Sequence, residues 1–466
     1  MSDISELPTA VVPSVSSRVE RYARWLKEMN ALPQDNKLRL YQETSLRSTK
    51  VGKRTVTPFA PFRVDRSALR VVSTPQKVGL VVSFLLLIVS LVFWRVETVT
   101  ILLSIATCLY VLGFTISALL ATTTLREDAT NTLERDIKAL DALGVQWPTY
   151  TILCPLYKEA LIVPQFVEAM QALDYPQDRL QVLLLTEEND RETRDELFHL
   201  SLPSNFTILT VPFGSPQTKP RACNFGLLQA KGQFVVIYDA EDKPSILQLK
   251  EAILTFAQSS SDVACVQAKL NYYNSRQNLL TRWFTAEYST WYDLMLFGLH
   301  KTAIPLPLGG TSNHFRTDVL RALGGWDAFN VTEDCDLGLR LTQYGLKTAV
   351  LDSTTYEEAT STVKGWLRQR SRWIKGYMQT YLVHMRRPFK ARSVKWLTAL
   401  QLVVGAWTFV LLVNPIMWAL TALYIIERPT ALYHELFPGP ILYLGAICLI
   451  FGNFFYVYIH LIGCLK

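Results

Sequence analysis

The 466-residue sequence has no C-x-x-C pair, no Walker-type phosphate loop and no G-x-G-x-x-G. The first absence argues against a structural zinc, the other two against a P-loop or dinucleotide site. Its seven cysteines (Cys108, Cys154, Cys223, Cys265, Cys335, Cys448 and Cys464) are odd in number and scattered, so no disulfide framework is expected. No internal repeat is visible. Charge is also scarce: 19% of residues are charged against 49% hydrophobic, with mean hydropathy +0.16. That balance is too apolar for an ordinary soluble protein and excludes a disordered chain. The net charge of +7 is local, because residues 1–77 hold 14 basic and 7 acidic side chains and the rest balances. A uniformly basic nucleic-acid binder is therefore not indicated.

Where charge is missing altogether, the runs are long. Val78–Trp94 and Thr98–Leu125 contain no Asp, Glu, Lys or Arg, and only Arg95, Val96 and Glu97 separate them. Trp396–Ile426 and Leu436–Leu465 are two more such runs. A bilayer core takes about 20 apolar residues per helix, so four spans are expected, the first two as a hairpin. Asn414-Pro415 sits mid-run and predicts a kink or broken helix in the third. Basic flanks stay on the cytoplasmic side. The pattern thus predicts a multi-pass protein of the inner or plasma membrane with both termini cytoplasmic. The first run starts near residue 78, too late for a cleavable signal peptide. Four regions follow: a basic cytoplasmic segment at 1–77, a transmembrane hairpin at 78–125, a cytoplasmic domain at 126–395 and membrane helices at 396–466.

After Pro148 short apolar runs alternate with helical patterns. Strands are predicted at Tyr150–Leu156, Gln181–Thr186, Phe206–Val211, Phe234–Tyr238 and Val263–Gln267, with helices near 160–173, 190–200, 221–230 and 245–258. This is the pattern of an α/β domain with a mostly parallel sheet. Ligands of such sheets bind at the C-terminal ends of the strands. An amphipathic stretch at Arg18–Met29 suits either the membrane surface or the face of this domain.

Acids gather at those strand ends. The first strand runs into Pro155-Leu156-Tyr157-Lys158-Glu159, the second into Glu187-Glu188-Asn189-Asp190, and the fourth into Asp239-Ala240-Glu241-Asp242. Carboxylates this close repel one another, and a divalent cation such as Mg²⁺ or Mn²⁺ would hold them ionised. Gly324-Gly325-Trp326-Asp327 precedes Thr332-Glu333-Asp334, where an Asp beside an arriving hydroxyl would serve as general base. From Thr362 to Lys395 there are ten basic residues and no acid. Arg386, Arg387, Lys390, Arg392 and Lys395 suit a membrane flank attracted to anionic lipid. Arg370 and Arg372, beside Trp373, suit a diphosphate next to a ring that stacks on a sugar. Thr281–His300 and Thr362–Tyr381 are expected to be membrane-interface helices, the aromatics of the first interfacial, with a glycan-lining role as the alternative.

Together these motifs resemble the membrane-embedded family 2 glycosyltransferases, the cellulose, hyaluronan and chitin synthase-like enzymes. The resemblance covers about residues 148–390 and rests on ordered motifs: Pro155–Glu159, the Glu187–Asp190 acids, Lys219-Pro220-Arg221-Ala222, Asp239–Asp242, Gly309-Gly310-Thr311, Thr332-Glu333-Asp334 and Gln369-Arg370-Ser371-Arg372-Trp373. The pairing of T-E-D with Q-R-x-R-W carries most of its weight.

The resemblance implies a GT-A, Rossmann-like α/β domain, set between transmembrane segments, that binds a nucleotide sugar and inverts its anomeric carbon. Pro155, Tyr157, Glu159, Glu187 and Glu188 would form the nucleoside pocket, with Lys219 and Arg221 as further nucleotide contacts. Asp239 and Glu241 would be the metal carboxylates, with Asp242 as substitute, for Mg²⁺ or Mn²⁺; the usual D-x-D reads here Asp-Ala-Glu-Asp. Asp334 would be the catalytic base, with Glu333 and Thr332 beside the acceptor. Gln369, Arg370 and Arg372 would contact the donor diphosphate, and Trp373 would lie beneath the terminal acceptor sugar. The expected activity is elongation, and export, of a β-linked polysaccharide from a nucleotide sugar, UDP-glucose by default. Transfer of one sugar to a lipid carrier or short glycan is the alternative, and an inert membrane scaffold a second one. With only four spans counted, export would call for a partner, a second copy or a helix pair hidden in Trp396–Ile426.

Overall fold

The computed structural model describes residues 15–31, 41–43, 45–46, 48–51, 54–61, 64–124, 133–386, 394–427, 431, 435–436, 439–447 and 453–465. Helix α1 (Val15–Ala31) and a hairpin of β1 (Thr49–Val51) and β2 (Arg54–Val56) precede two apolar helices, α2 (Thr74–Phe93) and α3 (Arg95–Thr124). Helix α4 (Leu133–Ala142) leads into β3 (Tyr150–Leu156), α5 (Val163–Gln171), β4 (Leu180–Glu187), α6 (Arg191–His199), β5 (Phe206–Val211) and α7 (Lys219–Gln229). Next come β6 (Phe234–Ile237), β7 (Lys243–Pro244), α8 (Gln248–Gln258) and β8 (Val263–Tyr272). Helix α9 (Leu279–Ser289) passes through a π-helical stretch, Thr290–Met295, into α10 (Leu296–Lys301). Then follow β9 (Asn313–Arg316), α11 (Thr317–Ala322), α12 (Glu333–Gln343), β10 (Lys347–Glu357) and α13 (Val363–His384). The last part holds α14 (Val394–Ala399), a second π-helical stretch at Leu400–Ala406, α15 (Trp407–Glu427), α16 (Gly439–Ile447) and α17 (Asn453–Leu465).

Eight strands form one mixed sheet in the order β5-β4-β3-β6-β9-β8-β10-β7. Strands β3 to β6 are parallel, as are β8 and β10, whereas β9 runs antiparallel between β6 and β8 and β7 antiparallel to β10. All five expected strands are present. Near-continuous apolar runs mark strands covered on both faces. Their period of two is still visible: Ile152, Cys154, Val182 and Leu184 pack toward α1, α4, α5 and α8, while Leu153, Leu183 and Leu185 pack toward α7, α11 and α12. The chain moves outward from β3 to β5 and then returns to β6 on the other side of β3. That reversal opens a crevice at the C-terminal ends of β3 and β6.

Helix α1 lies on the domain, which decides between its two expected places. Its Tyr22 and Leu26 are buried against α4 and α8, and Arg18 pairs with Asp136 at 3.4 Å. On the opposite face, residues 57–61 and 64–71 form a strap. Arg221 donates to the Thr57 carbonyl at 3.0 Å, Asn224 to that of Pro58 at 3.1 Å, and Arg386 to those of Asp65 at 2.8 Å and Ser67 at 3.1 Å.

Two helices among the described residues are long and apolar enough to cross a membrane: Ala68–Phe93, with α2 as its main part, and α3. Their most apolar windows are 0% and 6% buried. The third expected span differs: Trp396–Ala406 is apolar but short, and Pro415 lies inside α15 without ending it. The fourth falls on α16 and α17, with residues 448–452 outside the described residues. Among the described residues, then, two of the four expected spans are shown as long apolar helices. The foot of α3 docks on the domain, where Thr124 donates to the Leu294 carbonyl at 2.9 Å. Helix α10 crosses it at Gly298, whose missing Cβ would stand 2.5 Å from the Leu120 carbonyl oxygen.

Candidate active site

The turn after β3 is tied to the start of α6. Lys158 takes a left-handed backbone, φ 60°, and its amide donates to Asp190 at 2.5 Å, while the Glu159 amide donates to Thr193 at 3.0 Å. Pro155 pairs with Leu185 inside the sheet, Tyr157 is exposed, and Glu159 is half-buried. Burial, then the Asp239 and Asp190 charges, push the Glu159 carboxyl up. Glu188 accepts from the Phe213 amide at 2.7 Å. Glu187 and Arg221 are both buried, 3.7 Å apart; Arg221 also donates to the Pro212 carbonyl at 2.7 Å and lies over the Phe59 ring at 4.6 Å. Both groups therefore face the interior and the strap.

Across the crevice, α7 opens with Lys219. Its ammonium reaches both carboxylate oxygens of Asp239, at 2.6 and 2.7 Å, and the Gly310 carbonyl at 2.7 Å. Asp242 is buried and turned away: one oxygen accepts from the Asp239 amide at 2.6 Å and from the Thr311 hydroxyl, so it closes the turn after β6. Glu241 is pushed up to about 7 by burial and by Asp239. Glu357, at the end of β10, is pushed up to about 8 by burial, then by Asp239 and Glu241. Sequence reasoning missed Glu357; the signal was its place at the C-terminal end of a strand parallel to β8.

Glu333 and Asp334 begin α12, where the helix dipole favours carboxylates. Burial lifts Glu333 to about 8 and Asp334 to about 6, the Lys219 charge opposing both shifts. The Cys335 amide, 2.7 Å from Asp334, also holds its carboxyl down. A Cβ on Gly310 would lie 3.5 Å from Asp334 Oδ2 and 4.0 Å from Lys219 Nζ. The side-chain-free Gly310 thus brings Asp334 and the Lys219–Asp239 pair to one place.

Helix α13 is clasped to the start of α12. Thr332 is buried against Gly376, whose missing Cβ would stand 2.3 Å from Thr332 Cγ2. Asn330 donates to Thr380 at 2.8 Å, and His384 Nε2 lies 3.0 Å from Asp336. Along α13, Arg372 is exposed, while Gln369 Oε1 is buried with no hydrogen-bond partner among the described residues. Trp373 lies 6.5 Å from Tyr288, which lies 5.5 Å from Tyr292. The Tyr292 hydroxyl touches Gly309, where a Cβ would be 2.4 Å away. A row of rings therefore leads from Trp373 to the glycines beside Asp334. Only part of Thr281–His300 fits the interfacial expectation: Trp283 is exposed, but Phe284 and Tyr292 are buried in this row.

Among the described residues no three Asp, Glu, His or Cys side chains converge as a ready-made metal cage. The donor set still fits Mg²⁺ or Mn²⁺, which takes one or two carboxylates and completes its shell with phosphate oxygens and water. Asp239 and Glu241 repel one another, and Glu357 adds to that repulsion. A divalent charge would relieve it.

Residues 234–452 match the family described as Glycosyl transferase family group 2. The chain is 26% identical over 264 residues to a probable glycosyltransferase, YdaM, of Bacillus subtilis, covering 56% of this chain and 63% of that protein. It is 26% identical over 254 residues to a beta-monoglucosyldiacylglycerol synthase of Synechocystis, covering 53% and 51%. Against the UDP-forming cellulose synthase catalytic subunit of Pseudomonas fluorescens it is 26% identical over 257 residues, covering 54% and 34%. The chain thus spans less than two thirds of the length of each of these relatives. Among solved structures, the mannosyltransferase PcManGT of Pyrobaculum calidifontis aligns with TM-score 0.44 and 16% identity, over 76% of this chain and 98% of that one. The matched residues 234–452 hold Asp239–Asp242, Thr332–Asp334 and Gln369–Trp373.

Proposed function

We propose that this chain is an inverting membrane glycosyltransferase of GT-A type, taking a nucleotide sugar, UDP-glucose first, and lengthening a β-linked glycan. The observation that supports it most is the meeting of Asp334, Lys219 and Asp239 around Gly310, at the end of the ring row from Trp373. In a single displacement Asp334 takes the proton of the acceptor hydroxyl, whose oxygen attacks the anomeric carbon. The bond to the diphosphate breaks, and its electron pair leaves with the nucleoside diphosphate. A carboxyl lifted to about 6 is mostly ionised near neutrality and remains a useful base. Lys219 and the exposed Arg372 bring positive charge toward the leaving group. Asp239 and Glu241 would hold Mg²⁺ or Mn²⁺, which supplies further charge against the diphosphate. Tyr157, Glu159 and Glu188 border the nucleoside side, and Glu333, Thr332 and Trp373 the acceptor side.

The α2–α3 hairpin anchors the chain in the inner or plasma membrane, with the domain facing the cytoplasm. Helix α13 supports that placement, since Val363, Leu367 and Met378 are exposed beside Lys364, Arg368, Arg372 and Lys375. An apolar stripe flanked by basic residues suits a bilayer surface. Export of a long product would use a partner or a second copy. Transfer of one sugar to a lipid is the second reading. It is favoured by the glucosyldiacylglycerol synthase relative and by a groove of about 460 Å³ lined by Val71, Ile374, Lys375, Met378 and Leu382. Product length from purified protein with radiolabelled donor separates the two. A ladder of chains supports elongation, a single labelled lipid supports the second reading, and no labelled product from any donor overturns both.

A further inference from the structure

Arg370 is half-buried, and both of its terminal nitrogens are held by the protein itself. Its guanidinium binds Glu287 of α9 in bidentate fashion, Nη1 to Oε1 at 2.7 Å and Nη2 to Oε2. Its plane is packed by three rings, Phe284 at 4.8 Å, Trp373 at 4.9 Å and Trp366 at 5.6 Å. Bidentate pairing fixes a guanidinium in orientation as well as place. Stacking on an indole holds the ring in turn. Both terminal nitrogens point at Glu287, and the remaining Nε is buried, so Arg370 offers no free fork to a diphosphate. Exposed Arg372, two residues on, does not share these bonds.

We propose that Glu287 is a positioning residue for acceptor selection: through Arg370 it fixes the Trp373 ring, and neither it nor Arg370 touches the donor. This rests on the glycosyltransferase reading above and adds a residue that the sequence motifs leave out. Glu287 lies in the aromatic helix, 83 positions before its partner. The chain thereby couples the Thr281–His300 segment to the Gln369–Trp373 segment at one ion pair. Losing the carboxylate charge while keeping the shape, as in Glu287→Gln, frees the Trp373 ring and leaves the Asp239 and Asp334 side alone.

The test uses full-length protein in detergent, with UDP-glucose as donor and cellotetraose as acceptor. E287Q is expected to raise the cellotetraose KM about tenfold or more, the scale of a lost charge-assisted pair. The UDP-glucose KM and the release of UDP into water should stay within about twofold. In a Trp373→Ala background, Glu287→Gln should add nothing. A second readout needs no turnover: in 5-fluorotryptophan-labelled protein, E287Q should shift or broaden the Trp373 fluorine resonance, with buried Trp147 and Trp326 unchanged as the check on folding. An unmoved Trp373 resonance overturns the proposal, as does an equal change in donor KM or an undiminished effect in the Trp373→Ala background. Wild-type protein that turns over no donor contradicts the glycosyltransferase reading alone, and the fluorine resonance then decides this one.

Discussion

The Lys219 ammonium sits against both carboxylate oxygens of Asp239, at 2.6 and 2.7 Å, although one residue opens α7 and the other lies in the turn after β6. Sequence motifs place one of them at the nucleotide and the other at the metal. In the fold they are a single charged unit at the switch between β3 and β6.

Lys219 lowers the carboxyl pKa of Glu241, Glu333, Asp334 and Glu357. Lys219→Met removes that charge, so all four should rise. The acid limb of the pH–rate profile is then expected to move to higher pH, along with a fall in turnover. A slower variant with an unmoved limb contradicts the electrostatic role.

Transfer should need Asp334 ionised, and its pKa is about 6. The rate is expected to fall as pH drops through about 6 and to level off above it. Asp334→Asn should lose on the order of 10²–10⁴ in rate together with that limb. Residual activity that keeps a limb near 6 would assign the base elsewhere.

His314 carries a stability prediction independent of catalysis. It is buried mid-sheet on β9, 2.6 Å from the Tyr150 hydroxyl, and burial lowers its pKa from 6.5 to about 3. A depressed folded-state value means that the unfolded chain takes up the proton first. Nothing is lost above about pH 6.5, and stability falls as pH drops from there toward 3. Between pH 7 and 4 the loss is about 3 kcal/mol. Urea unfolding of His314→Gln should show a correspondingly shallower acid slope, and an identical slope refutes the cause.

How the candidate catalytic groups meet was partly legible in the sequence. Strands β3 to β6 stand out because strands buried on both faces need unbroken apolar runs, and the acids after them are visible as abrupt changes of character. Strand β10 does not stand out. Its Ser353 and Thr355 are buried polar residues satisfied by Gln248 and Ser312, partners far off in the chain. Glu357 was therefore hidden with it. Glu287 reads as one charge on an aromatic helix until α13 is laid beside it. The strap leaves almost no pattern, because Arg221, Asn224 and Arg386 bind its backbone carbonyls, which every sequence has.

Gly376 tests the clasp between α12 and α13. An alanine Cβ there would stand 2.3 Å from Thr332 Cγ2 and 2.6 Å from its Oγ1. Gly376→Ala should cost about 1–3 kcal/mol of stability and slow transfer by displacing Thr332 and the start of α12. Gly113→Ala, with nothing within 4 Å, is the neutral control. Equal melting temperatures for the two variants contradict the contact.

The most direct measurement is release of nucleoside diphosphate from a panel of nucleotide sugars by membranes holding the wild-type chain or Asp239→Asn, with and without Mg²⁺ or Mn²⁺. Cation-dependent release from one donor, abolished by Asp239→Asn, is the expected result. No release from any donor, or equal release by wild type and variant, contradicts it.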